Sequence, residues 1–173
     1  GTLDVARIEA GRLALDVRPM AFADTLAEVA GLFELQAAAK GLRFVYEPMG
    51  RLPEAVRADE KRLRQILINL LGNAVKFTRR GEVRLRVSFA REMAQIEVHD
   101  TGPGIAPEHL PRLTERFYRV DRSRSRETGG TGLGLAIVRE IARQYQGTLS
   151  VGTSPRLGGA LLKVEFPLAD AGR

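Results

Sequence analysis

The sequence contains no cysteine and only two histidines, His99 and His109. A disulfide framework and thiolate chemistry are thereby excluded, and a closed zinc site is left without enough ligands. Freedom from cysteine is consistent with a cytosolic setting. No apolar run approaches the roughly 18 residues that cross a bilayer, and the N-terminus lacks the charged-then-apolar order of a signal peptide. Aromatic residues make up only 6%, which counts against a nucleic-acid binder even in a basic chain. There is no internal repeat and no low-complexity tract.

What is present suits one ordinary globular domain: 173 residues, 44% hydrophobic and 28% charged. The net charge of +6 makes nucleic acid, an acidic membrane or a polyphosphate the partners to weigh. That charge is regional. Residues 76–91 carry +5 and residues 110–130 carry +3, whereas residues 1–75 sum to zero. Arg84 and Arg86 alternate with Val83, Leu85 and Val87, so most of the +5 is expected on the solvated face of a strand.

Residues 3–11 read as the last turns of a helix closed by Gly11, and 13–17 as a strand ended by Pro19. Apolar spacing predicts a helix over 22–40, stopped by Gly41, and a strand over 42–47, with 48–53 as a loop. Asp59 is placed to cap a helix over 60–78. Strands are predicted at 82–89 and 93–99 as a hairpin, then at 148–152 and 160–166, with a helix over 133–146 between the two pairs. Residues 101–132 are rich in Gly and Pro and lack periodicity, and a loop of that length is usually a lid or a binding loop. Residues 169–173 are expected to fray.

In the 60–78 helix, about 100° per residue puts Arg62, Gln65, Asn69, Asn73 and Lys76 on one face, while Leu63, Ile66, Leu67, Leu70 and Ala74 take the other. A solvated surface and a ligand-facing one account equally well for Arg62 and Gln65. Two asparagines at i and i+4 in mid-helix are less easily dismissed, since each costs a few tenths of a kcal/mol relative to Ala. With Lys76 they can offer amide oxygens to a hard cation and an ammonium to phosphate oxygens.

Asp100-Thr-Gly-Pro-Gly-Ile105 follows a strand. These residues are those of a turn. They also place an acceptor for an exocyclic amine beside glycines that let a flat ring approach the backbone. Gly129-Gly-Thr-Gly-Leu-Gly134 runs into an apolar helix, whose free amides and positive dipole end suit an anion. It lacks the Lys of a P-loop and follows a loop, unlike a Rossmann fingerprint.

Taken in order, Asp59 to Thr78, Asp100 to Ile105, Arg116-Phe-Tyr-Arg119 and Gly130 to Val138 resemble the catalytic ATP-binding domain of bacterial sensor histidine kinases. That family shares a superfamily with gyrase-type, heat-shock-chaperone and mismatch-repair ATPases. The resemblance covers about 20–167. It implies an α+β two-layer sandwich, a mixed and mostly antiparallel five-stranded sheet packed on three helices, with a lid over ATP. Residues 1–12 would be the end of a dimerisation and phosphoacceptor hairpin, 13–168 the ATP-binding domain and 169–173 a tail.

By the same resemblance Asn73 holds Mg²⁺, Asn69 and Lys76 lie beside the phosphates, and Asp100 receives the adenine amine. Gly102, Gly104 and Ile105 shape the adenine pocket, and Thr131, Gly132, Leu133 and Gly134 cradle the phosphates. Arg119 and Arg122, with Arg124 or Arg126, reach in from the lid, and Phe117 anchors it. Asn69, Lys76 and Arg119 are the implied catalytic residues. The implied activity is transfer of the γ-phosphoryl of Mg-ATP to a hairpin histidine, for relay to the aspartate of a response regulator receiver domain. The implied setting is cytoplasmic, with neither nucleic acid nor membrane contact.

The chain departs from the wider superfamily at Asn69, where the gyrase-type and chaperone ATPases carry a glutamate that activates water. An amide is no general base, so transfer to a separate nucleophile fits better than hydrolysis. His99 and His109 read as structural, which leaves the phosphoacceptor missing. Where many relatives carry a hydroxyl this chain has Ala160. The alternatives are a serine kinase of the anti-sigma-factor type, or a nucleotide-binding regulator without chemistry.

Overall fold

A computed structural model of the chain describes residues 14–102 and 132–171. Among them, strands β1 (Arg18–Ala21), β2 (Arg43–Met49), β3 (Ala55–Ala58), β4 (Glu82–Ala90), β5 (Met93–Asp100), β6 (Thr148–Thr153), β7 (Ala160–Pro167) and β8 (Ala169–Asp170) accompany helices α1 (Phe22–Ala39), α2 (Glu60–Phe77) and α3 (Gly132–Gln144). The main sheet runs β2-β4-β5-β7-β6. Only β2 and β4 are parallel; the other pairs are antiparallel. This is the mixed five-stranded sheet on three helices implied by the resemblance.

Period-two alternation decides which face meets the helices. Leu85 and Val87 of β4 lie opposite Val98 and Ile96 of β5, and all four are buried with Leu162, Val164 and Phe166 of β7. The helices cover this face with Leu26, Val29 and Phe33 of α1, Leu63, Ile66, Leu67 and Leu70 of α2, and Val138 and Ile141 of α3, each at most 4% exposed. Tyr145 stacks on Phe166 at 4.9 Å, which fastens the end of α3 to the sheet.

The opposite face is charged but not simply solvated, contrary to expectation for Arg84 and Arg86. Their side chains are 20% and 15% exposed, and both are ion-paired: Arg84 Nη2 to Glu82 of the same strand at 2.7 Å, and Arg86 Nε to Glu47 of the neighbouring β2 at 2.7 Å.

A second sheet, β1-β3-β8, was not foreseen. The strand expected at 13–17 lies instead at Arg18–Ala21 and contains Pro19, which an edge strand tolerates. Pro48, read as loop, likewise falls in the edge strand β2. Ala169 and Asp170 pair with β3 rather than fraying. The expected helix end within 3–11 lies outside the described residues.

Candidate functional site

Helix α2 is anchored at its start by Asp59, whose Oδ1 accepts from the Arg62 amide at 3.2 Å and whose Oδ2 accepts from the Asp16 amide at 2.9 Å. The Asp59 amide donates to the Tyr145 hydroxyl at 2.7 Å, and burial pushes that phenol up to about 12. Arg62 does not lie on a solvated surface: it is buried and donates to Gln65 Oε1 at 2.9 Å. At the other end, Lys40 Nζ donates to the carbonyls of Val75, Lys76 and Thr78. Those carbonyls have no partner inside a helix that stops at Phe77.

The asparagine face meets α3. Asn69 Nδ2 donates to the Gln65 carbonyl at 2.8 Å, leaving Oδ1 toward α3. A Cβ on Gly134 would lie 3.1 Å from that oxygen and 3.8 Å from Asn73 Nδ2. Gly134 is thus a close approach of one helix to two side-chain amides. Gly132 opens α3, so the free amides and positive dipole end of that helix stand beside the asparagine face. Lys76 is exposed one turn further along.

The C-terminal end of α2 meets the other predicted group. Asp100 ends β5 on the helix-facing side of the sheet, 8% exposed. Its Oδ1 accepts from the Gly102 amide at 2.9 Å and the Ala160 amide at 3.1 Å; Oδ2 takes no hydrogen bond among the described residues. Burial raises its pKa, and hydrogen bonds from the Ala160 and Gly102 amides offset part of that rise. A Cβ on Gly102 would lie 3.5 Å from both the Phe77 carbonyl and Thr78 Oγ1. From Asn69 to Thr78 is about 13 Å of helix rise. One ligand can therefore be read as a base at one end of α2 and as an anion at the other.

Three further contributors take roles that only the folded chain reveals. A Cβ on Gly159 would lie 2.3 Å from the Asp100 carbonyl and 2.4 Å from Oδ1, so only glycine fits there. Ala160, noted for its missing hydroxyl, serves through its amide. Thr101 Oγ1 bridges the Arg80 carbonyl (2.8 Å) and the Glu82 amide (3.0 Å), closing the turn between α2 and β4. Gly104, Ile105, Arg119, Arg122, Thr131, Phe117, Arg124, Arg126 and His109 lie outside the described residues, and of Gly132 and Leu133 only the helical backbone is described.

No cluster of three or more His, Cys, Asp or Glu among the described residues could cage a metal. The donors present, amide oxygens beside a helix N-terminus, fit a hard cation that arrives on a polyphosphate and keeps most of its other ligands from phosphate and water. Among the described residues, no helix is long and apolar enough to cross a membrane.

Residues 58–170 match the family of histidine kinase-, DNA gyrase B- and HSP90-like ATPases. The chain is 41% identical over 151 residues to the aerobic respiration control sensor protein ArcB of Escherichia coli (strain K12), an alignment covering 86% of this chain and 19% of that protein. It is 36% identical over 161 residues to the signal transduction histidine-protein kinase BarA of the same organism, covering 90% of this chain and 18% of BarA. The crystal structure of full-length ShkA in complex with AMPPNP superposes with a TM-score of 0.83 at 38% identity, over 99% of this chain and 35% of that one. The chain thus spans about a fifth of the length of these curated relatives.

Proposed function

The chain belongs to the histidine kinase-, DNA gyrase B- and HSP90-like ATPase family, as an ATP-binding domain of the sensor histidine kinase type, and from that premise we propose that it holds Mg-ATP along α2 and directs the γ-phosphoryl to a histidine on a separate helical hairpin. The bond from the γ-phosphorus to its bridging oxygen breaks, a bond to an imidazole nitrogen forms, and ADP leaves. Relay to the aspartate of a response regulator receiver domain follows. Both partners, and a cytoplasmic setting free of nucleic acid and membrane, belong to this proposal.

Asp100 accepts the adenine amine through Oδ2, and Gly102, Gly104 and Ile105 give the ring its room. Asn69, Lys76 and the amides from Thr131 to Gly134 face the phosphates, joined by Arg119 and Arg122. The Asn73 amide oxygen would hold Mg²⁺, which when bound neutralises phosphate charge. What the residues supply is positioning and charge complementarity for a loose phosphoryl-transfer transition state. With an amide at position 69 nothing there takes a proton from water, so hydrolysis is slow. His99 is 2% exposed and both its ring nitrogens are engaged, so it is no phosphoacceptor.

The observation that carries this reading is that α2 joins the two halves, with Gly134 against Asn69 and Asn73 at one end and Gly102 beside Asp100 at the other. Calorimetric titration with ATP, with and without Mg²⁺, tests it. Binding should require Asp100, and Asn73→Asp should abolish phosphotransfer in trans to a histidine-bearing hairpin. Equal affinity in Asp100→Asn, or undiminished transfer by Asn73→Asp, would sink the assignment.

A further inference from the structure

The direction in which Asp100 points is not set by its own strand alone. Besides the amides of Gly102 and Ala160 on Oδ1, its carbonyl accepts from the Gly159 amide at 3.1 Å. Two of these three donors, Gly159 and Ala160, lie where the turn after β6 enters β7, and Ser154 ties that turn together. Its amide donates to the Gly159 carbonyl at 2.7 Å, its carbonyl accepts from the Gly158 amide at 2.9 Å, and its Oγ accepts from the Leu157 amide at 3.0 Å.

Ser154 is in turn held from β5. Its Oγ lies 2.7 Å from His99 Nδ1, and His99 Nε2 lies 3.0 Å from Glu97 Oε1. Glu97 as a carboxylate can only accept, so the ring proton belongs on Nε2, and Nδ1 then accepts the Ser154 hydroxyl proton. Each polar atom of the chain thereby has one partner of the right kind, and Ser154 still accepts from Leu157. On the charged side, Arg86 Nη1 stands 3.6 Å from the same Glu97 oxygen, and Arg84 is the cross-strand neighbour of His99.

An acid, a histidine and a serine in a row suggest nucleophilic catalysis, but Ser154 is 1% exposed and cannot meet a substrate. What the row can do is fix the height of the turn against β5. Little slack is available, because Gly159 already sits where a Cβ would fall 2.3 Å from the Asp100 carbonyl and 2.7 Å from the Gly102 amide.

We propose that Glu97, His99 and Ser154 are positioning residues for base recognition, aiming Asp100 so that the site takes a 6-aminopurine nucleotide and rejects its 6-oxo analogue. The inference rests on the reading of Asp100 as acceptor of the adenine amine. An oxo group there presents an acceptor to a carboxylate, so rejection depends on where that carboxylate is held.

The test measures affinity for ATP and for inosine triphosphate in the 173-residue chain, for wild type, Ser154→Ala, His99→Leu, His99→Asn and Asp100→Asn, with thermal unfolding of each. Ser154→Ala and His99→Leu should lower the ATP-to-inosine-triphosphate preference about tenfold, the scale of one hydrogen bond to a charged group, mainly by weakening ATP. His99→Asn, whose amide oxygen can stand in for Nδ1, should keep the preference. Lowered unfolding temperatures with the preference intact in both Ser154→Ala and His99→Leu overturn the proposal and leave these residues a purely structural role. Should Ser154→Ala fail to fold, the contrast of His99→Leu with His99→Asn decides. An intact preference in Asp100→Asn overturns the reading of Asp100 itself and the proposal with it, whereas its loss in Asp100→Asn alone overturns only the proposal.

Discussion

Without nucleotide, Asp100 is a buried carboxylate whose charge works against the fold. Burial places its folded pKa above the unfolded one, so its contribution to stability is full below the unfolded value and is lost as pH rises through the folded value. In Asp100→Asn the amide oxygen still accepts from the Gly102 and Ala160 amides, and the charge is gone. The variant should therefore unfold at the same or a higher temperature than wild type at pH 7, with the gap closing toward about pH 4, while ATP affinity falls at least about tenfold. Thermal unfolding from pH 3.5 to 7 checks the first part, and a lower melting temperature for the variant at pH 7 contradicts it. Asp100 and Gly102 were legible because a strand followed by Asp-Thr-Gly is a local pattern. Gly159 was not, since its need for a bare Cα arises only when β7 pairs with β5 and brings the turn onto Asp100. Gly159→Ala should cost about 1–3 kcal/mol through overpacking and remove ATP binding, measured by denaturant unfolding and calorimetry.

At the scale of elements, α2 shows what local reading reaches. Its amphipathic spacing and its Asp59 cap were visible within one turn of sequence, and its end at Phe77 was placed to within a residue. The cap at that end was invisible, because Lys40 comes from the end of α1, 35 residues before the first carbonyl it meets. A cation at a helix C-terminus gains from both hydrogen bonds and the helix dipole. Lys40→Met should therefore cost about 1–2 kcal/mol and speed hydrogen exchange at the Thr78 amide, which closes the last turn onto Ala74; unchanged exchange there would contradict the role. Strands β3 and β8 escaped, and β1 was expected a few residues too early, for a related reason: at four, two and four residues they are too short for periodicity and exist through their pairing.

For the whole molecule, the +6 that admitted several polyanions is now divided by partner. On β4, Arg84 and Arg86 spend their charge on Glu82, Glu47 and Glu97 across the outer face of the sheet, whereas Lys76 stays exposed beside the asparagine face. The sequence pattern identified which residues were basic, but only strand order brings Glu47 of β2 next to β4. The proposed ligand site joins distant parts of the chain, since α2 and β5 supply one side and α3 with the β6–β7 turn the other. Ligand held by both sides stabilises the folded state as a whole, by RT ln(1 + [L]/Kd), or about 2.7 kcal/mol at a hundredfold excess over Kd. For a domain of this size that is an upward shift in melting temperature of roughly 5–10 °C. Mg-ATP should produce the shift, and inorganic triphosphate with Mg²⁺ only a fraction of it at equal concentration, because triphosphate engages the asparagine face and α3 without Asp100. Asn73→Ala should reduce both shifts and Asp100→Asn only that of Mg-ATP. Equal shifts from the two ligands would mean that base recognition contributes nothing, and that the residual basicity alone captures the anion.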